Sequence, residues 1–309
     1  MLQRALAGAA LVLSLATSSN AARAAACCGA GHGMGQWLAP SERAAVSLAL
    51  RGSERFGSWS VERDFAPSAG DSHDRELRAD VGWLVRVEER VQLGITAPLL
   101  ATWRGSRGAA SSGGGVGDVA MAGRLELVER DRLPWLSTAA LTLGVTLPTG
   151  RSYRDSSDPL AADATGLGVA ELRPGLVLEK AWGASFQALL AASIGVRSRY
   201  HQPTGEAIHP APRLQIVAAA GPAWPASGLS LTLGGLYERE GAPREDGRAL
   251  TDVTRERTAL LAVLAYDISA RWTAIGNLQA DVPISGVGRA ETTAAALSAG
   301  VRYVWGRHD

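Results

Sequence analysis

A strict alternation of apolar and polar positions runs through the stretch Trp135–Gly150. Every second residue from Trp135 to Leu147 is mostly apolar, and the residues between them are mainly threonine, alanine and glycine. This pattern predicts an extended strand with two unlike faces, because successive side chains of a strand point to opposite sides. The alternation lasts for about a dozen residues, whereas strands of globular proteins usually have about five or six.

Eleven further runs of this kind bring the total to twelve predicted strands, an even number. The run at Arg257–Tyr266 is apolar in both phases, so the sequence does not indicate which of its side chains point outward. The other runs are marked by Val46–Leu50, Leu77–Val85, Val91–Trp103, Val119–Leu127, Leu172–Leu178, Phe186–Val196, Leu214–Ala220, Leu229–Leu233, Trp272–Val282 and Thr293–Trp305.

The connections between these runs alternate between short and long. Glu88–Arg90 and Asp267–Ala270 are short, whereas Arg104–Gly115, Thr149–Gly166 and Arg239–Glu256 are long and rich in turn-forming residues. Short and long turns then lie at opposite ends of the sheet, as in outer-membrane barrels. A tilted strand of about 9–11 residues crosses a bilayer, and the sheet must close because hydrocarbon satisfies no backbone group. The sequence therefore predicts an all-β fold, a closed antiparallel transmembrane β-barrel with short periplasmic turns and long external loops.

Tryptophans mark the same end as the short turns. Indole rings prefer the boundary between membrane and water, so these residues predict an aromatic girdle. A soluble β-sandwich would place tryptophans without regard to turn length, and a β-propeller has short strands, so both alternatives are less favoured. The predicted girdle residues are Trp135, Trp182, Trp224, Trp272 and Trp305.

The first residues predict export to the bacterial outer membrane. Arg4 precedes an apolar run at Ala5–Ala16, and small residues follow it, which is typical of a signal peptide spanning residues 1–26. Residues 27–42 are then an N-terminal tail or plug, and residues 43–306 form the barrel. Cleavage after Ala26 would expose Cys27, so lipidation stays open, although Ala24 stands where a lipoprotein signal prefers leucine.

Soft metal ligands are concentrated in the tail, which contains Cys27, Cys28, His32 and Met34. Thiolate, imidazole and thioether groups suit Cu(I). A glycine-rich tail specifies no coordination geometry, however, so a flexible tail or plug is favoured, and no metal or cofactor is predicted.

Charge and motifs argue against nucleic-acid binding and catalysis. The formal net charge is +1, so no overall field attracts nucleic acid. The sequence contains neither a G-x-S-x-G nor an H-E-x-x-H motif. No enzyme activity is predicted, and a barrel lipid hydrolase using His201 or His209 is the least favoured alternative.

The phase opposite the leucines carries charges of both signs. Two interpretations remain: a structural ladder of arginine–carboxylate pairs, or a polar conduit whose charges orient a solute. The candidate lumen-lining residues are Arg78, Asp80, Asp118, Arg124, Glu126, Glu171, Arg173, Arg197 and Arg302.

Two stretches, Gly113–Leu127 and Leu141–Gly150, carry a family resemblance. A glycine-rich segment leading to G-x-G-D, a strand ending in R-x-x-L and a strand ending in P-T-G resemble the meta-pathway phenol-degradation transporter-like barrels. The resemblance implies a channel for small, aromatic or hydrophobic solutes, but it transfers no functional residue. Asp118 is the first candidate because it can anchor a loop at the lumen mouth or cap backbone N–H groups.

The expected partners are outer-membrane lipids, the barrel-assembly machinery through the aromatic-rich C-terminal strand, and a small solute of unknown identity. The alternative to a channel is a sealed structural barrel whose loops bind partners.

Overall fold

The computed structural model describes residues 37–106, 108–128, 138–201, 206–245, 248–249 and 254–306. Twelve long strands form one antiparallel ring. They are β1 (Ala44–Trp59), β2 (His73–Glu88), β3 (Val91–Ser106), β4 (Val119–Val128), β5 (Thr138–Leu147), β6 (Glu171–Trp182), β7 (Phe186–Arg197), β8 (Arg213–Trp224), β9 (Leu229–Glu240), β10 (Arg255–Asp267), β11 (Trp272–Asp281) and β12 (Glu291–Trp305).

The ring closes between the first and the last strand. β12 pairs antiparallel with β1 from Ala44 opposite Trp305 to Trp59 opposite Glu291, with one irregularity between Arg55 and Gly57. Each of the twelve strands therefore has two hydrogen-bonded neighbours, and the ring leaves no open edge. The predicted closed barrel of twelve antiparallel strands is confirmed. Within the described residues, no helix is both long and apolar enough to cross a membrane.

Neighbouring residues of one strand differ sharply in exposure. In β9, Thr232 is 2% exposed and Leu233 is 56% exposed, and in β12 the values are 7% for Ala296 and 66% for Leu297. The large apolar side chains thus cover the outside of the barrel, where a bilayer accommodates them, and the alternate phase points inward.

Turn length separates the two ends of the barrel. The connections β2–β3, β6–β7, β8–β9 and β10–β11 are short. The first residue of β1, Ala44, and the last residue of β12, Trp305, lie at the same end of the barrel as these turns. We call it the short-turn end and the opposite one the long-loop end. The β4–β5 connection lies outside the described residues.

The segment Arg104–Gly115, predicted as a long loop, is mostly a hairpin. β3 continues to Ser106, and a short strand, Ala109–Val116, pairs back onto it. The face of this strand is covered by backbone of the β5–β6 loop, since a Cβ atom at Gly113 would lie 2.5 Å from the carbonyl oxygen of Ala162. Small residues are required there, so the segment lacks the apolar alternation by which the other strands were recognised.

Further strand pairing connects the long loops. Phe65–Pro67 pairs with β1. Four short strands, Tyr200–His201, Ala207–His209, Arg244–Glu245 and Arg248–Ala249, form a separate sheet that joins the β7–β8 loop to the β9–β10 loop.

An arginine on the outer face should destabilise the barrel according to its depth. Leu233 lies near the middle of β9, and Leu229 lies at the short-turn end of the same face beside Trp224 and Tyr266. We expect Leu233→Arg to lower the free energy of unfolding in lipid vesicles by about 2–4 kcal/mol and Leu229→Arg by about 0–1 kcal/mol. Equal effects in urea titrations would contradict the assignment of this face to lipid.

Candidate functional site

The inner surface near the short-turn end is a buried ionic cluster. Arg124 on β4 donates two hydrogen bonds to Glu179 on β6, at 2.9 and 2.8 Å. Gln92 on β3 donates to Glu126 at 3.0 Å, and Arg302 on β12 binds Glu42 at 2.7 Å. We call this set the short-turn cluster; its members are Glu42, Arg86, Gln92, Arg124, Glu126, Glu179 and Arg302.

Residues 37–42, which end with Glu42 of this cluster, lie inside the short-turn end of the barrel and contact its other members. The backbone N–H of Leu38 donates to the Gln92 side chain at 2.8 Å, and Arg86 donates to the carbonyl oxygens of Leu38 and Ala39, each at 3.0 Å. The guanidinium carbon of Arg124 lies 5.9 Å from the Trp37 ring centre. Trp37 and Leu38 also pack against Ala45, Leu84 and Val304.

These contacts occupy the lumen beside the short-turn cluster. Trp37 and Leu38 are 7% and 4% exposed, and the side chains that hold them, Gln92 and Arg124, are 0% and 4% exposed. We call residues 37–42 the N-terminal segment. Because water barely reaches these groups, the segment blocks the described part of this end.

An apolar strip lies on one inner wall, at mid-height. Its members sit in the inward phase of five consecutive strands, β6 to β10, and pack into one cluster. They are Val177, Leu189, Val217, Leu236, Ala259 and Leu261. Sequence reasoning missed this strip because it assigned the inward phase to polar residues. The apolar residues within that phase, and the doubly apolar run at Arg257–Tyr266, were the available signal.

An ionic belt runs along one side of the wall, between the strip and the long-loop end. Arg173 binds Glu171 and also donates to Gln215 at 3.4 Å, and Gln215 donates to Glu238 at 2.9 Å. Arg257 then joins Glu238 at 3.3 Å to Asp281 at 2.8 Å. A continuous chain of contacts therefore connects β6, β8, β9, β10 and β11.

A cavity of about 260 Å³ opens above the belt, at the long-loop end. Six arginines and six carboxylates line it, so its charges are balanced. We call it the ionic cavity. Its charged lining residues are Arg51, Arg55, Asp74, Glu76, Arg104, Arg213, Glu238, Glu240, Arg255, Glu256, Arg257 and Glu291.

The β5–β6 loop, residues 148–170, turns inward over this end. Thr102 donates to the carbonyl oxygen of Ala162, and Arg104 donates to that of Ala161 at 2.6 Å. Both side chains belong to the inward phase of β3, and Ala161 and Ala162 are 2% and 0% exposed. The loop therefore narrows the mouth of the barrel from the β3 side.

Asp118 fixes the base of this loop. Its carboxylate accepts hydrogen bonds from the backbone N–H groups of Gly150 at 2.9 Å and Leu167 at 2.6 Å. The Thr149 hydroxyl donates to the carbonyl of Gly117 at 2.8 Å and accepts from the Val119 N–H at 2.9 Å. Asp118 thus anchors the loop by capping two of its backbone N–H groups, so the same hydrogen bonds serve both expected roles. These hydrogen bonds join the G-x-G-D and P-T-G stretches of this chain.

Carboxylates stabilise the interior of the loop as well. Hydrogen bonds from the Ser111 hydroxyl and from the Ala162 N–H lower the pKa of Asp158, and the Ser156 hydroxyl and Arg151 lower the pKa of Asp163 strongly. Because a lowered pKa favours the ionised form in the folded loop, these contacts stabilise the loop at neutral pH. Their contribution is lost as the pH falls through the lowered pKa values.

The other predicted lumen residues occupy the inward phase of their strands. Arg78 binds Asp80 at 2.7 Å, and Arg197 binds Glu240 at 2.5 Å. Glu126 lies 3.8 Å from both Arg86 and Arg124. With the pairs described above, every member of the predicted set that lies in this phase contacts a group of opposite charge, and Asp118 binds the loop instead.

The predicted girdle residues that the structure describes are exposed at the short-turn end. Trp182, Trp224, Trp272 and Trp305 are 44–51% exposed. Tyr303 packs between Trp272 and Trp305, with ring centres 4.9 and 4.8 Å apart. Trp135 lies outside the described residues, and so do Cys27, Cys28, His32 and Met34. Among the residues that are described, no group of three or more metal-binding side chains occurs.

Comparison with solved structures gives the same fold. The COG4313 outer membrane channel from Pseudomonas putida F1 is similar with a TM-score of 0.70 and 16% identity, over 87% of this chain and 97% of that chain. The NanC porin and the β domain of the Bordetella autotransporter BrkA give TM-scores of 0.46 and 0.48 at 11% identity, over 83% and 85% of this chain and 98% and 100% of theirs. No family model and no curated protein matches the sequence. The similarity to the COG4313 channel shows that the chain has the fold of an outer-membrane barrel. The resemblance to the phenol-degradation transporter-like family stays a prediction.

Removing one partner of the buried pair Arg124–Glu179 should lower the free energy of unfolding more than removing both partners. Arg124→Met leaves Glu179 without its bidentate partner, and we expect a loss of about 3–5 kcal/mol in the free energy of unfolding. The double variant Arg124→Met/Glu179→Leu should lose less. Arg75→Met, which breaks an exposed pair with Glu54, is the control and should cost at most about 1 kcal/mol. A double variant as unstable as the sum of its single changes would contradict this view of the pair.

Loss of the Asp118 anchor should release the β5–β6 loop. Asp118→Ala removes both acceptors, and Gly166→Ala places a methyl group against the same carboxylate. We expect both variants to speed tryptic cleavage at Arg151 and Arg154 while the barrel stays folded in a heat-modifiability gel. Asp71→Ala, in another exposed loop, is the control. Unchanged cleavage in both variants would show that Asp118 does not hold the loop.

Proposed function

We propose that the protein is an outer-membrane channel for the passive passage of small solutes, with its short turns in the periplasm and its long loops outside the cell. The observation that carries this proposal is the inner surface, where an ionic cavity at the long-loop end leads to a wall that combines an ionic belt with an apolar strip. Such a surface offers both charged and apolar contacts to a small amphipathic solute.

The N-terminal segment is the gate of this proposed channel. Its contacts with Gln92 and Arg86 are hydrogen bonds to its own backbone carbonyl and N–H groups, so they do not depend on a particular side chain of the segment. Because the segment precedes β1 and takes no part in the strand pairing of the ring, it can leave the lumen without breaking a barrel strand. The similarity in fold to a COG4313 channel and the resemblance at Gly113–Leu127 support a channel role.

Planar-bilayer recording tests the channel and its gate together. We expect the full chain to conduct weakly and a variant lacking residues 37–42 to conduct several-fold more, because the deletion removes the described residues that block the short-turn end. Ser41→Ala, which changes only an exposed side chain of the segment, is the control and should behave as wild type.

A folded but silent deletion variant would contradict the channel proposal and favour the sealed structural barrel. Folding is checked for each variant by its altered gel migration before and after boiling.

A further inference from the structure

A second cavity, of about 280 Å³, lies at the long-loop end between described residues of the β5–β6, β7–β8 and β9–β10 connections, such as Val169, Tyr200 and Pro243. We infer that this mouth cavity binds a small aromatic carboxylate before it enters the barrel. The inference rests on the proposed channel function and names its solute class. The residues that carry the argument are Arg154, Val169, Arg197, Tyr200, Glu240 and Arg255.

The size and walls of the mouth cavity suit one ring. Small-ligand pockets usually enclose about 300–1,000 Å³, so this cavity accepts a single-ring molecule and excludes oligomers. Val169, which is 6% exposed, forms an apolar surface, and Tyr153 and Tyr200 add two aromatic side chains. Flat apolar and aromatic walls favour a ring over a flexible polar chain.

Positive charge is in excess at the cavity. Among the described lining residues, three guanidinium groups, those of Arg154, Arg197 and Arg255, accompany one carboxylate, that of Glu240. Glu240 is already bound by Arg197 at 2.5 Å and by Arg213 at 3.1 Å. A ligand with a negative group therefore restores the balance, and planar guanidinium groups match the geometry of a carboxylate.

Two of these arginines retain unused donors. In the described part of the chain, the Arg255 side chain is exposed and makes neither a hydrogen bond nor an ion pair. The Arg197 side chain is only 10% exposed, and its Nε atom is buried without a hydrogen-bond partner among these residues. The exposed donors of Arg255 are therefore the ones that a ligand carboxylate can reach directly.

Arg154 is held in place at the ring side of the cavity. Its guanidinium carbon lies 3.9 Å from the Tyr200 ring centre, and it donates to the carbonyl oxygens of Gly168 at 3.1 Å and His201 at 3.5 Å. The stack keeps the tyrosine ring and a positive charge together, so one wall contacts both halves of an aromatic carboxylate.

The mouth cavity and the ionic cavity share residues. Glu240 and Arg255 line both, so the two spaces are adjacent. Beyond Arg255, the ionic cavity also contains Arg213 and Arg257. This arrangement leads the bound anion toward the lumen.

Titration calorimetry with benzoate on the detergent-solubilised full chain tests the site. We expect saturable benzoate binding, with phenol and acetate much weaker because each lacks one half of the recognised group. Arg255→Gln should weaken benzoate binding about tenfold or more, because it removes a charge-assisted contact. The matched control is Arg239→Gln, an exposed arginine of β9 at the same rim that does not line the cavity; it should bind as wild type.

A second variant tests recognition of the ring. Tyr200→Leu should weaken benzoate several-fold and leave acetate unchanged. No saturable benzoate binding to the wild type, or equal affinities of Arg255→Gln and Arg239→Gln, would overturn the inference. Conductance without benzoate binding overturns the mouth site and leaves the channel intact. A folded deletion variant that is silent in bilayers but still binds benzoate supports the site and overturns the channel.

Discussion

The pairing of the first strand with the last is the constraint on which the rest of the structure depends. Hydrocarbon offers no hydrogen bonds, so a sheet surrounded by lipid has to satisfy every backbone group internally. The antiparallel register between Ala44 and Trp305 at one end and Trp59 and Glu291 at the other meets this requirement. Once the ring is closed, the alternation of each strand assigns one set of side chains to lipid and the other set to a narrow interior.

That interior explains the unusual distribution of charge. Charges inside a narrow barrel are tolerated only when they are paired or hydrated, and the buried pair of Arg124 and Glu179 shows the first solution. At the long-loop end the same residue types line open cavities, where water and solutes can reach them. Between the two regions, the apolar strip around Val217 and Leu236 replaces charges with tight packing. The barrel thus changes from filled to open along its axis.

The strands were predictable because lipid imposes a simple rule on their sequence. Leu229–Leu233 alternates strictly, since every second side chain faces the same apolar medium. The inner face follows no such rule, because each residue there faces different partners. Val217 and Leu236 are therefore apolar residues within an otherwise polar inner face. The position of Trp37 inside the barrel depends on its contacts with Arg124 and with strands that are distant in sequence. The glycines at Gly113–Gly117 suggested a loop, although they serve a hairpin against which another loop packs.

Hydrogen–deuterium exchange of the protein in lipid vesicles tests the closed ring most directly. The backbone amides of Val46–Leu50 in β1 and Leu297–Val301 in β12 should exchange as slowly as those in the middle of β9, because all three strands have neighbours on both sides. Rapid exchange confined to β1 and β12 would show an open sheet with two free edges. The assignment of faces to lipid and lumen would then be wrong.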